Sequence, residues 1–300
     1  MKSFTQTYTD FQSITNDSSA GSLALAKTWI NNCVHHILSL SDWNFNKSSK
    51  DYTTAASQFE FEKPYNAAKI TNVYVYTGGV WYVPKEIKSD ALWRQINYVS
   101  VTADVPSFWF VNNETGNVEI YPKHSSASDT VRIYFTKRVR DMSVADYTTG
   151  TLTTVVNDQT ITGTATVWVA RMEGRGLKIT STATVLGDMW FEIESVNTVA
   201  QTLEIKENMP VVVAGASYTI AEMIPFMDGF EDIALWYAVD KYFQMRQSPV
   251  QAREYERMWK EAQADMERRD LRSVDAILEK QTPVSMIDPN TNPWGITLIP

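Results

Sequence analysis

The sequence predicts an α+β protein: a helical bundle built from N- and C-terminal helices, an antiparallel β region between them, and an inserted small β-barrel or sandwich. Three patterns carry this expectation. Apolar residues recur at three- and four-residue steps near both ends, in Leu23, Ala26, Trp29, Ile30, Cys33, Val34 and Ile37, and again in Phe226, Phe230, Ile233, Ala234, Tyr237 and Ala238. Residues 42–136 switch to period two, as in Val73/Val75, Phe108/Phe110, Val118/Ile120 and Val131/Ile133/Phe135, which marks half-buried strands. Residues 148–222 are rich in threonine and valine in short runs broken by Asn157-Asp158, Gly174/Gly176 and Gly215, a spacing that suits about six strands of a small antiparallel barrel.

Taken in order, a first short helix is expected around Tyr8 to Ile14, a polar turn at Thr15 to Ser19, and a second helix capped by Ser22 and ending near Leu40. Asp42-Trp43-Asn44-Phe45 leaves that helix. Thr77-Gly78-Gly79 between two alternating runs reads as a hairpin, and Asn112 to Gly116 as a second. Ser89 to Ile96 has room for one or two helical turns. The run Thr166-Val-Trp168-Val-Ala170 alternates like a strand with Trp168 on the face opposite Val167 and Val169. Ser248-Pro249 restarts the chain as a helix, because serine caps free amides and proline at the first position sacrifices no hydrogen bond. The helix that follows has few apolar positions, Tyr255, Met258, Trp259, Ala262 and Met266, among charges of both signs, the pattern of a solvated or interface helix. Pro283, Pro289, Pro293 and Pro300 keep the last residues extended, yet Val284, Met286, Ile287, Trp294, Ile296, Leu298 and Ile299 make them too apolar for an ordinary disordered tail. Such a tail either wraps its own subunit or docks on another chain, with Trp294 as the anchor.

Composition limits the function classes. With 300 residues, 44% apolar content and 10 tryptophans, the chain can fill more than one core. A net charge of −8 and pI of about 5.0 argue against electrostatic binding of nucleic acid. The single cysteine, Cys33, precludes an intrachain disulfide, which points to synthesis in the cytoplasm, and neither a signal peptide nor a membrane-spanning run is legible. Signals for catalysis are sparse. The adjacent His35 and His36 of a helix diverge by about 100° and are poor partners for one metal. The glycines of Glu173-Gly-Arg-Gly-Leu177 lack the lysine-serine pair of a phosphate loop and read as a turn. Glu192 and Glu194 share one strand face, where a solvated pair is the simpler reading than a glycosidase dyad. The expectation is a protein that is not an enzyme and uses neither cofactor nor metal.

The succession of parts resembles a known family. Asp42-Trp-Asn-Phe45, Val73 to Tyr82 around its glycine turn, Pro106-Ser-Phe-Trp-Phe-Val111, Gly116-Asn-Val-Glu-Ile-Tyr-Pro122, Arg132-Ile-Tyr-Phe-Thr-Lys-Arg138 and the aromatic helix Phe230 to Phe243 followed by a charged helix are similar to the head-to-tail adaptor proteins of tailed bacteriophages, also called connector, gatekeeper or tail tubular protein A. The likeness spans residues 1–145 and 222–280. It implies a virion protein at the head–tail vertex, a homo-oligomeric ring of twelve subunits between the portal protein and a downstream tail, nozzle or fibre protein, and a channel through which DNA passes without sequence-specific binding. No membrane is involved. An acidic chain suits such a channel, since a lysine-rich lining would retard sliding phosphates. The expected organisation is a discontinuous adaptor core, 1–147 and 223–280, an inserted barrel-like domain, 148–222, and a C-terminal docking arm, 281–300. The arm would act through its seven apolar residues named above, and the charged helix would meet neighbouring subunits through Arg253, Arg257, Trp259, Lys260, Glu261 and Arg268. The competing reading is a carbohydrate- or receptor-binding component of a tail or fibre, with Trp168 and Trp190 of the barrel as stacking platforms.

Overall fold

The protein, a computed structural model, is described for residues 2–98, 100–180, 186 and 189–281, with side chains through Leu271. It is a mixed α+β structure with five helices, mainly antiparallel sheets and a closed six-stranded barrel among these residues. In chain order come α1 (Phe4–Thr15), α2 (Ala20–Leu40), β1 (Lys47–Thr53), β2 (Glu60–Phe61), β3 (Ala67–Thr77), β4 (Val80–Tyr82), β5 (Lys85–Glu86), α3 (Asp90–Ile96), β6 (Thr102–Ala103), β7 (Phe108–Val111), β8 (Val118–Tyr121), β9 (Lys123–His124) and β10 (Thr130–Lys137). The barrel follows with β11 (Thr151–Thr154), β12 (Thr160–Thr164), β13 (Gly176–Thr180), β14 (Phe191–Asn197), β15 (Thr202–Ile205) and β16 (Val213–Ala221); α4 (Asp232–Met245) and α5 (Pro249–Gln281) close the chain.

Helix α4 lies against α1, α2 and α5, so the two ends of the chain share one core. Phe11, Ile30, Cys33, Ile37, Ile233, Ala238, Val239 and Met266 are all fully buried in it. Three local expectations shift here. The cap of α2 is Ser19, not Ser22: the helix starts at Ala20, and the Ser22 amide donates to Ser19 Oγ at 3.3 Å. Phe226 and Phe230 reach the core from the loop ahead of α4, which begins only at Asp232. In α5, Ala252, Tyr255, Trp259, Ala262 and Met266 form a narrow seam against α4, with Trp259 edge-on to Tyr237 at 5.4 Å. The seam explains how so charged a helix stays attached: three- and four-residue steps put these few side chains on one stripe, and a fully buried Met contributes about 1.5–3 kcal/mol.

The β region has two four-stranded sheets sharing one core and a separate two-stranded sheet, β6-β9. Strands β1-β10-β3-β4 and β2-β8-β7-β5 place Val73, Val75, Val131 and Ile133 opposite Phe61, Trp109, Val118 and Ile120. The β3–β4 hairpin turns through Gly78 and Gly79, at φ +57° and +84°, a conformation that glycine adopts without strain. The antiparallel expectation needs one amendment: β5 pairs with β7, and β6 with β9, in parallel. The chain between β5 and β7 contains α3, long enough for the crossover that parallel pairing requires. Trp93 of α3 stacks on Phe110 at 5.2 Å and donates Nε1–H to Glu119 Oε2 at 2.7 Å.

The barrel, in strand order β11-β12-β15-β14-β13-β16, encloses its own core of Leu152, Ile161, Leu177, Phe191, Ile193, Leu203, Ile205 and Ile220. Residues 166–169 are not a strand: they run irregularly into a 3₁₀ turn at Ala170–Met172 and drop Trp168 inward, where its Nε1–H donates to Tyr218 Oη at 2.8 Å. The chain enters and leaves the barrel at one point, because Tyr147 and Ile220 exchange backbone hydrogen bonds of 2.9 Å in both directions. That is the geometry of an insertion.

Two of the contacts that join the parts centre on Asp270 and Glu192. Asp270 on α5 accepts from the amides of Asn44 (3.1 Å) and Phe45 (3.4 Å), closing the helix onto the turn between α2 and β1. Glu192 of β14 lies between Lys137 Nζ (2.7 Å) and Lys206 Nζ (3.0 Å), and Lys206 donates to Ser48 Oγ, so this glutamate fastens the barrel to β1 and β10. The solvated acidic face expected for Glu192 and Glu194 is thus half an interdomain contact.

Asp270→Ala leaves two turn amides without their charged acceptor, and an unfolding midpoint shift equivalent to about 2–3 kcal/mol is expected in denaturant titration, with Asp270→Asn intermediate. The second expectation concerns pH. Burial disfavours the Glu192 carboxylate, but the two ammonium groups outweigh it and hold its pKa below the ordinary 4.5. A carboxylate depressed on folding adds stability above its unfolded pKa, and that contribution disappears as pH falls through the folded value. Thermal melts should therefore lose stability on acidification below about pH 4.5, with a shallower slope in Glu192→Gln.

Candidate functional site

The described residues offer little for catalysis. His35 Nε2 meets Asp141 Oδ1 at 2.8 Å, on the surface. His124 is buried and paired with Asp129 Oδ2 at 2.8 Å. Cys33 sits in the apolar core, where burial pushes its thiol far above the usual range. No group of three metal-ligating side chains occurs among the described residues, and none of their helices is long and apolar enough to cross a membrane. Surfaces for partners are far better developed.

The first is the outer face of α5. Arg253, Arg257, Lys260, Glu261 and Arg268 are exposed along it. Most are paired within the helix: Arg257 with Glu261 at 3.3 Å, Lys260 with Glu256 at 2.6 Å, Arg268 with Asp265. Exposed pairs of this kind add little stability, so the face is neutral overall and free to re-pair across a contact. Trp259 does not belong to it. The expectation placed this residue at a subunit contact, but it packs on Tyr237 in its own subunit, because its stripe is the one that faces α4.

The second is the β3–β4 hairpin. Val80, Trp81, Tyr82 and Val83 are 52%, 40%, 37% and 62% exposed, an apolar tip with no core beneath it. On the outer sheet face Trp81 adjoins Tyr76 at 5.0 Å, Tyr74 adjoins Tyr134 at 5.1 Å, and the Arg132 guanidinium lies over Trp81 at 4.8 Å while bonding both oxygens of Asp51. Period-two alternation in the sequence showed which residues share this face, but not that the sandwich leaves it open.

The third is a groove of about 600 Å³ where helices, sheet and barrel meet. Phe45, Tyr65, Met142, Phe226 and Met227 supply its apolar surface. Both crossings between body and barrel run through it, and Glu222 holds them together. Its Oε2 accepts from the amides of Ser143 (2.7 Å) and Val144 (2.9 Å), while Oε1 meets the guanidinium of buried Arg175 at 3.4 Å. Burial lowers the Arg175 pKa; Glu222 opposes this, and the positive neighbours Arg171 and Arg140 add to the lowering. Arg140, Arg171 and Arg175 are thus close enough to repel one another, in a lining that also carries Asp141, Glu173, Glu192, Glu222 and Asp228. Sequence reasoning missed the groove, since its walls come from six separate stretches that no local pattern links.

The seven arm residues, Val284, Met286, Ile287, Trp294, Ile296, Leu298 and Ile299, lie outside the described residues. Compared with known proteins, the chain matches no protein-family model and no curated protein sequence.

Proposed function

We propose that this chain is a structural head-to-tail adaptor of a tailed phage virion, assembling as a ring of about twelve copies between portal and tail around the DNA channel. The observation that carries this reading is the shared core of the chain's two ends. A helical bundle of α1, α2, α4 and α5 is closed by residues as far apart as Phe11 and Met266, with the sheets and the barrel interposed between α2 and α4. Such a body closes its helical core on itself and leaves the outer face of α5 exposed, which suits side-by-side packing of identical subunits around an axis. The exposed, charge-balanced face of α5 and the apolar β3–β4 tip are the two surfaces it offers, the first for neighbours and the second for a portal or tail partner.

The alternative, a carbohydrate- or receptor-binding tail component, has lost its first platform, because Trp168 is 1% exposed in the barrel core. What now favours it is the open aromatic row of Trp81, Tyr76, Tyr74 and Tyr134.

Three measurements separate these readings. Gold-labelled antibody against the chain is expected to mark the head–tail vertex of intact particles in electron micrographs; labelling confined to fibre tips rejects the adaptor. Trp81→Ser with Tyr82→Ser is expected to leave the thermal midpoint within a few degrees of the parent, since both side chains are exposed, while reducing incorporation into particles at least severalfold. Saturable quenching of tryptophan fluorescence by soluble glycans, abolished in the double variant, would instead support the carbohydrate reading.

A further inference from the structure

The face of sheet β2-β8-β7-β5 turned away from the sandwich core holds a second cavity, a pocket of about 420 Å³ between α3 and the turn after β7. Trp93 and Phe110 give it an apolar lining, and the rest is polar. Its charges are unequal. Asp90, Glu114 and Glu119 line it against one base, Arg94, and Arg94 is already paired with Asp90 at 2.9 Å. Two carboxylates are left over, since neither Glu114 nor Glu119 forms an ion pair among the described residues.

Glu119 is the more telling of the two. It is 8% exposed, so most of its hydration is lost, and the donors that hold it are neutral: Trp93 Nε1–H to Oε2 and Asn112 Nδ2–H to Oε1, each at 2.7 Å. Its antiparallel neighbour in β2 is another acid, Glu60, on the same face of the sheet. Like charges opposed across strands destabilise a sheet, and a buried charge without a counter-charge is costly. The carboxylate is nevertheless held firmly. Asn112 Oδ1 accepts from the amides of Glu114 and Thr115 at 2.9 and 3.3 Å, which fixes the side chain that in turn positions Glu119. A preorganised anion on the wall of an open pocket calls for a cation from outside.

The hydrogen bonding narrows the class of cation. A carboxylate accepts about four hydrogen bonds, and one is taken on each oxygen, so each keeps capacity for one more; a guanidinium fork fills such a pair with two parallel N–H bonds. Guanidinium is also weakly hydrated and packs flat on aromatic rings, whereas an ammonium is a strongly hydrated point charge. A bare metal ion matches less well, because N–H donors already compete for both Glu119 oxygens and the described residues contain no group of three metal-ligating side chains.

We infer that this pocket binds a guanidinium group, with Glu119 as its bidentate acceptor and Glu114 as the second negative charge. The inference is independent of the ring reading. Two carriers share this chemistry, a small organic cation and an arginine side chain of a polypeptide, and the test separates them.

The indole N–H signals of the isotope-labelled full chain are followed by NMR, with Trp93 assigned through Trp93→Phe, during titration with agmatine, with Nα-acetylarginine methylamide and with its uncharged citrulline analogue. The expected result is a saturable shift of the Trp93 signal with a guanidinium compound and about tenfold weaker binding of the citrulline analogue. Tighter binding of agmatine assigns the site to a small cation, and tighter binding of the capped arginine to a polypeptide. Glu119→Gln should weaken binding about tenfold. Because that change also disturbs a buried hydrogen bond, Glu114→Gln at an exposed position is the second variant, expected to weaken binding severalfold with the melting midpoint unmoved. Equal affinity for the citrulline analogue overturns recognition of charge. A Trp93 shift with a neutral monosaccharide and none with either guanidinium compound overturns the inference in favour of a saccharide site. Movement of other indoles alone, or of none, overturns the site itself.

Discussion

Much of the tertiary arrangement depends on one carboxylate, Glu222. The polypeptide leaves its body after β10, builds a barrel, and returns to α4, so two irregular segments must lie side by side with their amides satisfied. Glu222 does this from a single position: two amides of the outgoing segment and the buried guanidinium of Arg175 on the barrel all converge on its side chain. Its own carbonyl accepts from the Phe4 amide at 2.8 Å, which ties the first helix to the same point. A buried guanidinium is tolerated only with such a partner, since the cost of desolvating an unpaired charge is several kcal/mol. The groove walls are the segments that this residue holds, so the groove owes its shape to Glu222 as well.

Elsewhere the same principle recurs with different chemistry. Asp270 uses a carboxylate to cap the amides of the turn after α2, and Glu192 uses one to gather two lysines at the seam between barrel and sheet. Each joins elements whose apolar cores are separate: the helices, the sandwich and the barrel each have their own buried cluster. The parts are therefore individually packed and joined by a few polar contacts.

This architecture also explains why the outer surfaces differ so much in character. The α5 face is charged and internally paired, suited to repeated contacts between like copies, whereas the β3–β4 tip is apolar and presents aromatic rings to solvent. The adaptor role we propose would use both kinds of surface, because one must recognise itself and the other something else.

Local order was legible in the sequence. Apolar spacing marked α2 and α4, Ser248-Pro249 marked the start of α5, glycine turns located the hairpins, and threonine-valine runs separated a barrel from the rest. These features depend on neighbours within a few positions, where backbone geometry alone sets which side chains share a face. The meeting of faces was decided by tertiary structure. Trp259 reads as a subunit contact on a charged helix until α4 is placed beside it. Trp168 reads as a strand residue until Tyr218 draws its indole inward, and Glu192 reads as solvated until Lys137 arrives from a strand 55 positions away. Period and spacing specify how a segment presents itself; which of those presentations are buried depends on long-range packing and on the pairing of charges, and neither is encoded in any single stretch of chain.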